Sequence, residues 1–162
     1  MKKKVQLFPR ISLINKVYKK KERYHYFELP HVAIVVPVIN NKFLVVKQKR
    51  EPVNMQTLEF PCGWVDINEK PSNSARRELY EETGYKANSI KKLIEFYEEP
   101  GRMVSKAFCF YSEKLTKINI PEKGIKIALY SKQEMINLIN TKKFNAGNHI
   151  AAFYKYLYLK KI

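Results

Sequence analysis

The chain has 162 residues, 45% of them hydrophobic and 13% aromatic, which is enough to build the core of one globular domain and excludes disorder as its overall state. Its formal net charge of +16 comes from lysines and arginines that occur in short groups along the chain, without a nucleic-acid recognition motif. We therefore expect the charge to favour solubility and to attract small anionic ligands, and we do not expect nucleic acid as the main partner.

Cysteine usage and apolar runs bear on location. Cys62 and Cys109 are far apart and lack metal-ligand spacing, so we expect reduced thiols and no disulfide. Pro9 and Arg10 interrupt the apolar run after the basic N-terminus, which argues against a signal peptide. The longest apolar stretch, VAIVVPVI from Val32, is too short to span a bilayer. These features predict a cytoplasmic protein without a membrane span.

The first predicted elements are an appended segment and a β-hairpin. Residues 1 to 30 are polar and aromatic and form an expected N-terminal extension, whereas residues 31 to 162 form the main domain. Residues 31 to 39, HVAIVVPVI, are typical of a buried strand. The pair Asn40-Asn41 predicts a tight turn that leads into a partner strand at residues 42 to 48.

Helices and strands are mixed in the rest of the chain. A helix should begin near Pro71 or Ser72, since proline suits the first helical position, and should end at Gly84. Hydrophobic periodicity then predicts strands at residues 90 to 96, 107 to 112 and 125 to 130, and helices at residues 132 to 140 and 149 to 159. A helix placed between sheet segments indicates a layered α/β domain.

The first predicted helix carries an unusual set of carboxylates. Glu78 and Glu82 lie one turn apart on the face that also carries Ala75 and Leu79, and Glu81 lies at their flank. If the apolar positions are buried, these glutamates point toward the protein, and either some are protonated or a cation neutralises them. Oxygen-rich surroundings without sulfur or histidine favour Mg²⁺ or Mn²⁺ over zinc. The alternative is a solvated helix face paired with the adjacent arginines.

The residues around this helix match a known pattern. They fit G-x5-E-x7-R-E-hydrophobic-x-E-E-x-G at every fixed position, which are Gly63, Glu69, Arg77, Glu78, Leu79, Glu81, Glu82 and Gly84. This resembles the Nudix box, and the order of the predicted elements is similar to that of Nudix hydrolases from about residue 30 to about residue 160. The resemblance implies an α/β/α sandwich with a mixed β-sheet. It also implies an enzyme that uses divalent cations to cleave nucleoside diphosphates linked to another group.

The resemblance further implies roles for individual residues. Glu78 and Glu82 would be the principal metal ligands, Glu81 a further ligand, and Arg77 the residue that orients the carboxylates. The metal ions would bridge the pyrophosphate oxygens, neutralise charge on the leaving phosphate and orient or generate hydroxide. Three residues are candidates for the general base, two in the box and one on a later loop: Glu81, Glu82 and Glu122.

The segment before the helix has implied roles as well. The backbone carbonyl of Cys62 would be another metal contact, and Gly63 would let the backbone come close to the ion. Glu69 would be structural.

Elements outside the box resemble those of ADP-ribose pyrophosphatases. The Q-x-R and E-x-P-x-G elements of that subfamily are matched by Gln48, Arg50, Glu59 and Pro61, and its later proline is matched by Pro100. Arg50 and Arg102 are expected to hold phosphate, and Glu59 to lie at the substrate site. Many such enzymes have a glutamate where this chain has Ser105. ADP-ribose is therefore the first expectation, a GDP-mannose type of sugar the alternative, and nucleoside triphosphates or RNA 5′ ends a further one.

Aromatic residues of the N-terminal segment suggest an assembly. Several of them would be costly to leave in water: Tyr18, Tyr24, Tyr26 and Phe27. In similar ADP-ribose hydrolases this region crosses to a partner subunit, so the resemblance implies a homodimer. Trp64, Tyr24 and Tyr26 are candidates for stacking a nucleobase, with packing as the alternative for each. No role is assigned to the histidines, which lack metal-like spacing: His25, His31 and His149.

Overall fold

The computed structural model describes residues 2–18 and 23–162. Within these ranges the strands are β1 (Lys2–Phe8), β2 (Ile11–Val17), β3 (Arg23–Glu28), β4 (Val32–Ile39), β5 (Lys42–Arg50), β6 (Met55–Glu59), β7 (Cys62–Trp64), β8 (Tyr85–Ala87), β9 (Lys91–Tyr97), β10 (Met103–Val104), β11 (Lys106–Ser112), β12 (Leu115–Lys117) and β13 (Lys126–Tyr130). The α-helices are α1 (Pro71–Thr83), α2 (Lys132–Asn140) and α3 (Gly147–Lys160).

The central sheet has the strand order β13-β5-β4-β11-β9, with β6 paired to β5 and β7 paired to β4. Strands β4 and β11 are parallel, whereas β4 and β5 form the predicted antiparallel hairpin. Asn40 and Asn41 of its turn have φ of 48° and 62°, the left-handed region that asparagine tolerates best after glycine. The sheet is therefore mixed, as predicted.

The two faces of β4 contact different helices because its side chains alternate. Ile34 and Val36 pack in a core with Phe153 of α3, while Ala33 and Val35 pack in a second core with α1, through Ala75 and Leu79. The predicted α/β/α sandwich is confirmed.

Element boundaries follow local sequence signals closely. Helix α1 begins at Pro71 and ends before Gly84, whose φ is +71°. A Cβ at Gly84 would lie 2.0 Å from the carbonyl oxygen of Asn119, so the position requires glycine twice over. Helix α2 has its predicted bounds, and α3 begins two residues before its predicted start and ends one residue after its predicted end. Strand β9 is shifted by one residue at both ends, and β11 and β13 differ from their predicted ranges by one residue at the start. In the part of the chain that the structure describes, no helix is long and apolar enough to cross a membrane.

The N-terminal segment forms a small sheet of order β1-β2-β3-β10, which the sequence patterns did not predict. Strand β3 pairs in parallel with β10 of the main domain, and every residue of β1 is exposed. Residues 1 and 19–22 of the predicted extension lie outside the described residues.

Candidate active site

Helix α1 presents its glutamates as the sequence predicts. Ala75 and Leu79 are fully buried, and the carboxylate-bearing residues next to them on that face, Glu78 and Glu82, are largely buried too. Glu81, at the flank, is exposed. The alternative of a fully solvated acidic face is wrong for Glu78 and Glu82.

Burial changes the protonation of both inward carboxylates. It raises the pKa of Glu82 to about 8, with a further increase from the nearby charge of Glu78 and a partial offset from the Cys62 N–H, which donates to Glu82 Oε2 at 3.2 Å. Burial also raises the pKa of Glu78, against the lowering effect of Arg77. Positive charge from the protein therefore does not fully compensate the ionised forms of Glu78 and Glu82.

Arg77 braces the acidic cluster from one side. Its Nη1 donates to Glu78 Oε1 at 2.6 Å and to Glu81 Oε2 at 3.1 Å, and its Nη2 donates to Glu69 Oε2 at 3.2 Å and to the Trp64 carbonyl at 3.1 Å. Glu69 also accepts from the backbone N–H of Asp66 at 3.2 Å, which closes the loop before α1. Arg77 therefore holds Glu69, Glu78 and Glu81 in place through its hydrogen bonds, and the roles predicted for Arg77 and Glu69 in catalysis and structure stay predictions.

Gly63 lies against the end of the Glu78 side chain. A Cβ at this position would lie 2.1 Å from the Glu78 carboxyl carbon, so any larger residue would displace that carboxylate. The sequence prediction explained this glycine by close approach of the backbone to a cation, whereas in the structure the group closest to it is Glu78.

The chemistry of this donor set fits a hard divalent cation. The charged forms of two buried carboxylates with raised pKa values are stabilised when a cation neutralises them. Carboxylate oxygens are also the ligands that Mg²⁺ and Mn²⁺ prefer. Glu81 lies beside them, held by Arg77.

A cleft of about 290 Å³ adjoins the cluster. Its lining comes from β4, β5, β6, β7, the segment after β9 and the start of α3: Val32, Arg50, Glu59, Cys62, Gly63, Trp64, Glu98, Ala146, Asn148 and His149. The cleft therefore brings together Arg50, Glu59 and Cys62, which the sequence predicted, with residues that it did not.

Arg50 forms an ion pair with Glu59 inside the cleft. Its Nε and Nη2 donate to the two oxygens of Glu59 at 3.0 and 2.6 Å, and Thr57 Oγ1 donates to Glu59 Oε1 at 2.6 Å. The two-donor fork that the sequence assigned to a phosphate is thus directed at Glu59, which corrects that assignment. Contact between Arg50 and a phosphate would use its remaining Nη1.

Arg102 and Glu122 lie outside the set of cleft-lining residues. The Arg102 side chain is 80% exposed and pairs with Glu99 at 3.3 Å, in the Pro100-Gly101 turn between β9 and β10. Glu122 is exposed, but its backbone N–H donates to the Glu81 carbonyl at 3.0 Å, so its loop does reach the box helix.

Glu98 is a cleft residue that the sequence reasoning missed. Ser105 Oγ donates to its Oε2 at 3.0 Å and Asn148 Nδ2 donates to its Oε1 at 2.9 Å. Ser105, the residue at about the position where a glutamate was expected, is buried and contacts the carboxylate of Glu98, which directly follows β9. The acidic pair before Pro100 was the available signal, but its strand position could not be read without the pairing of β9 with β11.

His149 is the second missed residue. The Phe60 N–H donates to its Nδ1 at 3.0 Å, and burial lowers its pKa to about 4, so the ring is neutral with its proton on Nε2. Nε2 lies 3.7 Å from Glu59 Oε2 and 3.8 Å from Cys62 Sγ. This trio does not fit a metal ion, because Nε2 carries the proton, Glu59 is paired with Arg50, and burial raises the pKa of the Cys62 thiol well above its usual range.

The fold and the acidic helix together define a known class. A model of the NUDIX domain matches residues 29–150, and the chain belongs to this family, which confirms the resemblance seen in the sequence.

Several curated proteins are similar to this chain. It is 36% identical over 85 residues to the ADP-ribose pyrophosphatase of Bacillus subtilis (strain 168), covering 52% of this chain and 46% of that protein. It is 44% identical over 72 residues to the ADP-sugar pyrophosphatase of Mus musculus, covering 41% of this chain and 33% of that protein. It is 35% identical over 80 residues to a GDP-mannose pyrophosphatase of Yersinia enterocolitica, covering 46% and 41%. The matches span less than half the length of these relatives.

A solved structure described as an ADP compounds hydrolase has the same fold. It aligns with a TM-score of 0.83 and 18% identity over 99% of this chain and 92% of that chain.

Proposed function

We propose that this protein is a divalent-metal-dependent hydrolase of the pyrophosphate bond in nucleoside diphosphates linked to a sugar, with ADP-ribose, cleaved to AMP and ribose 5-phosphate, as its main substrate. The observation that carries the proposal is the buried pair Glu78 and Glu82, whose raised pKa values indicate a site built for a cation. We assign Mg²⁺ or Mn²⁺ to it.

In this proposal Glu78 and Glu82 hold the cation, with Glu81 and the Cys62 carbonyl as further ligands. When bound, the cation would neutralise negative charge on the pyrophosphate and lower the pKa of water. Arg77 keeps Glu78 and Glu81 in position through the hydrogen bonds described above, which pre-organises the site.

The proton of the attacking water goes to a carboxylate. Glu81 and Glu82 are candidates within the box, and Glu122 is a third because its loop is bonded to the Glu81 carbonyl. Single replacement by glutamine separates them, since the base variant loses the acidic limb of the kcat profile, where the rate rises as the base is deprotonated, whereas a ligand variant is rescued in part by higher metal concentration.

Substrate choice rests on the cleft and on the relatives. The cleft joins the box to Arg50 and to the polar residues Glu98 and Asn148, so it offers groups for hydroxyls beyond the pyrophosphate. The named relatives act on ADP-ribose, ADP-sugars or GDP-mannose. Ser105, in place of a glutamate, keeps a GDP-mannose type of sugar as the second candidate.

One hydrolysis panel tests the proposal: ADP-ribose, GDP-mannose, UDP-glucose, NADH, 8-oxo-dGTP and triphosphate-ended RNA, each with Mg²⁺ or Mn²⁺. We expect kcat/KM for ADP-ribose to exceed that for any nucleoside triphosphate by at least about tenfold, or about 1.4 kcal/mol. Faster cleavage of GDP-mannose would overturn the ADP-ribose assignment alone. Faster cleavage of a triphosphate would overturn the nucleotide-sugar assignment.

We also propose a homodimer in which the N-terminal extension, residues 1 to 30, contacts the partner. Support comes from apolar side chains exposed on the N-terminal sheet, among them Val5, Leu7, Phe8, Tyr24 and Phe27. Sedimentation at micromolar concentration should give the mass of a dimer. A fully active monomer would contradict the proposed dimer.

A cytoplasmic location stays a prediction.

A further inference from the structure

Trp64 is one of the residues that line the cleft, and it is partly exposed. It is the single tryptophan of the chain, it follows Gly63 directly, and 47% of its surface is accessible. Its backbone carbonyl accepts hydrogen bonds from Ser74 and Arg77, at 3.0 and 3.1 Å, so the residue is anchored to α1. A large aromatic side chain is costly to leave in water, and this one lines a cleft beside the acidic cluster.

Arg10 covers part of the Trp64 ring. Its guanidinium carbon lies 5.6 Å from the ring centroid, within the range of a cation–π contact. The guanidinium is itself fixed, because Nη1 donates to Asp66 Oδ1 at 2.8 Å and Nη2 donates to the Val65 carbonyl. Arg10 thus links the N-terminal sheet to the loop that precedes α1.

The backbone at Arg10 is in an unfavourable conformation for its residue type. Its φ is +71° in the β1–β2 turn, a region that glycine and asparagine adopt at lower cost. The hydrogen bonds of its guanidinium to Asp66 and to the Val65 carbonyl hold the Arg10 side chain beside Trp64 in spite of this cost.

The other aromatic candidates are directed elsewhere. Tyr24 donates its hydroxyl to the Gly101 carbonyl and packs against Tyr26, with ring centroids 6.2 Å apart. Neither is among the residues that line the cleft beside the box. Within one chain, Trp64 is therefore the one of these three aromatic candidates that lines the cleft.

We propose that Trp64, held by Arg10, is the stacking surface for the nucleobase of the substrate, a subsite that deepens the proposed function and rests on it. Stacking uses the π-face that every base has, so this subsite contributes affinity without choosing between adenine and guanine. The sugar beyond the pyrophosphate then carries the discrimination between substrates.

The fluorescence of Trp64 tests this inference without catalysis. AMP and ribose 5-phosphate are the probes, since neither contains a pyrophosphate bond. With Mg²⁺ present, AMP should quench the emission in a saturable way and ribose 5-phosphate should not. Quenching by ribose 5-phosphate alone would place the sugar against the ring and overturn the inference.

Variants supply a second readout. Trp64→Leu should raise KM for ADP-ribose and for GDP-mannose by about tenfold each, with a far smaller fall in kcat, and Trp64→Phe should restore most of the loss. Arg10→Gly should raise KM in the same direction even though glycine suits the turn, which separates loss of the cation from damage to the fold. Tyr158→Leu is the matched control, because Tyr158 is an exposed aromatic with the Lys155 ammonium 5.0 Å from its ring centroid, and it lies in α3 away from the cleft.

The outcomes distinguish this inference from the proposed function. If ADP-ribose is hydrolysed but AMP does not quench and Trp64→Leu keeps its KM, the stacking surface is refuted and the function stands. If AMP quenches but no nucleotide sugar is hydrolysed, the stacking surface stands and the proposed function fails.

Discussion

Two glutamates beside the cleft are equally buried and have opposite electrostatics. Glu59 is 6% exposed and Glu82 is 7% exposed. Burial acts to raise the pKa of Glu59, but hydrogen bonds from Arg50 and Thr57 outweigh it and the pKa is lowered, whereas burial and Glu78 raise the pKa of Glu82 to about 8. The two pKa values differ because Glu59 has a cationic hydrogen-bond partner and Glu82, in the part of the chain that the structure describes, does not, and not because one residue is more deeply buried.

This contrast indicates what each carboxylate is for. Glu59 has its compensating positive charge within the chain, in the guanidinium of Arg50, and does not need a cation from solution to stay ionised. Glu82 accepts a hydrogen bond from the backbone N–H of Cys62, and among the described residues no cationic side chain is in hydrogen-bond contact with it. Its charged form would therefore be stabilised by a cation from solution. Of two buried carboxylates, the one without its own counter-charge is the better candidate for a metal ligand.

The largest expected effect comes from removing that charge. Glu82→Gln should lower kcat for ADP-ribose by about three orders of magnitude, or about 4 kcal/mol, since the cation loses a ligand where charge develops. Glu95→Gln is the control, because Glu95 is an exposed residue paired with Lys92 and Lys106. Steady-state kinetics with and without chelator provide the measurement. Full activity of the Glu82 variant, or of the wild type in excess chelator, would sink the metal assignment.

The second test removes the cationic partner of Glu59, so that this buried carboxylate, like Glu82, has no cationic side chain in hydrogen-bond contact within the described ranges. Arg50→Ala should lower the free energy of unfolding by about 1 to 3 kcal/mol, because it leaves a buried carboxylate unpaired, although partial exposure of Arg50 limits the loss. It should also lower kcat/KM for ADP-ribose. Adding Glu59→Gln should recover stability without recovering kcat/KM. Urea titration of the single and double variants measures the first effect, and an additive double variant would contradict the coupling.

The third test concerns stability without metal. The folded pKa of Glu82 lies above its ordinary value of 4.5, so its stabilising contribution is present below pH 4.5 and is lost as pH rises toward 8. Metal-free Glu82→Gln should therefore exceed wild type in unfolding free energy by about 1 to 2 kcal/mol at pH 8 and by much less at pH 5. Thermal unfolding in chelator gives the comparison. Mg²⁺ should reverse the order at pH 8, because it stabilises the wild type by binding.

The sequence predicted this contrast only in part. The spacing of Glu78 and Glu82 relative to Ala75 and Leu79 was sufficient to predict inward carboxylates, because helical periodicity is local information. The pairing of Arg50 with Glu59 could not be predicted in the same way. It depends on β5 and β6 being antiparallel neighbours, with Val46 opposite Glu59, and such a register is a tertiary property.

The sequence did not predict features that depend on contacts between distant parts of the chain. Glu98 is held in the cleft by Ser105, seven residues later in the chain, and by Asn148 at the start of α3, fifty residues later, and the second of these contacts is a tertiary one. The sheet β1-β2-β3-β10 was missed because β1 is exposed on all its residues and begins with three lysines, so it lacks the apolar run that marks a buried strand.

The smallest expected effect comes from His149, whose ring faces Glu59, Cys62 and Arg50 and not Glu82. Its folded pKa of about 4 lies below its ordinary value of 6.5, so the unfolded chain binds the extra proton first, and the stability it contributes above pH 6.5 is lost as pH falls toward 4. His149→Asn keeps an acceptor for the Phe60 N–H and removes this titration. Between pH 6.5 and 5 the wild type should therefore lose roughly 1 kcal/mol more unfolding free energy than the variant, measured by urea titration at each pH. Equal losses would mean that the ring has the same pKa in the folded and unfolded states, which would contradict the lowered pKa of the buried imidazole.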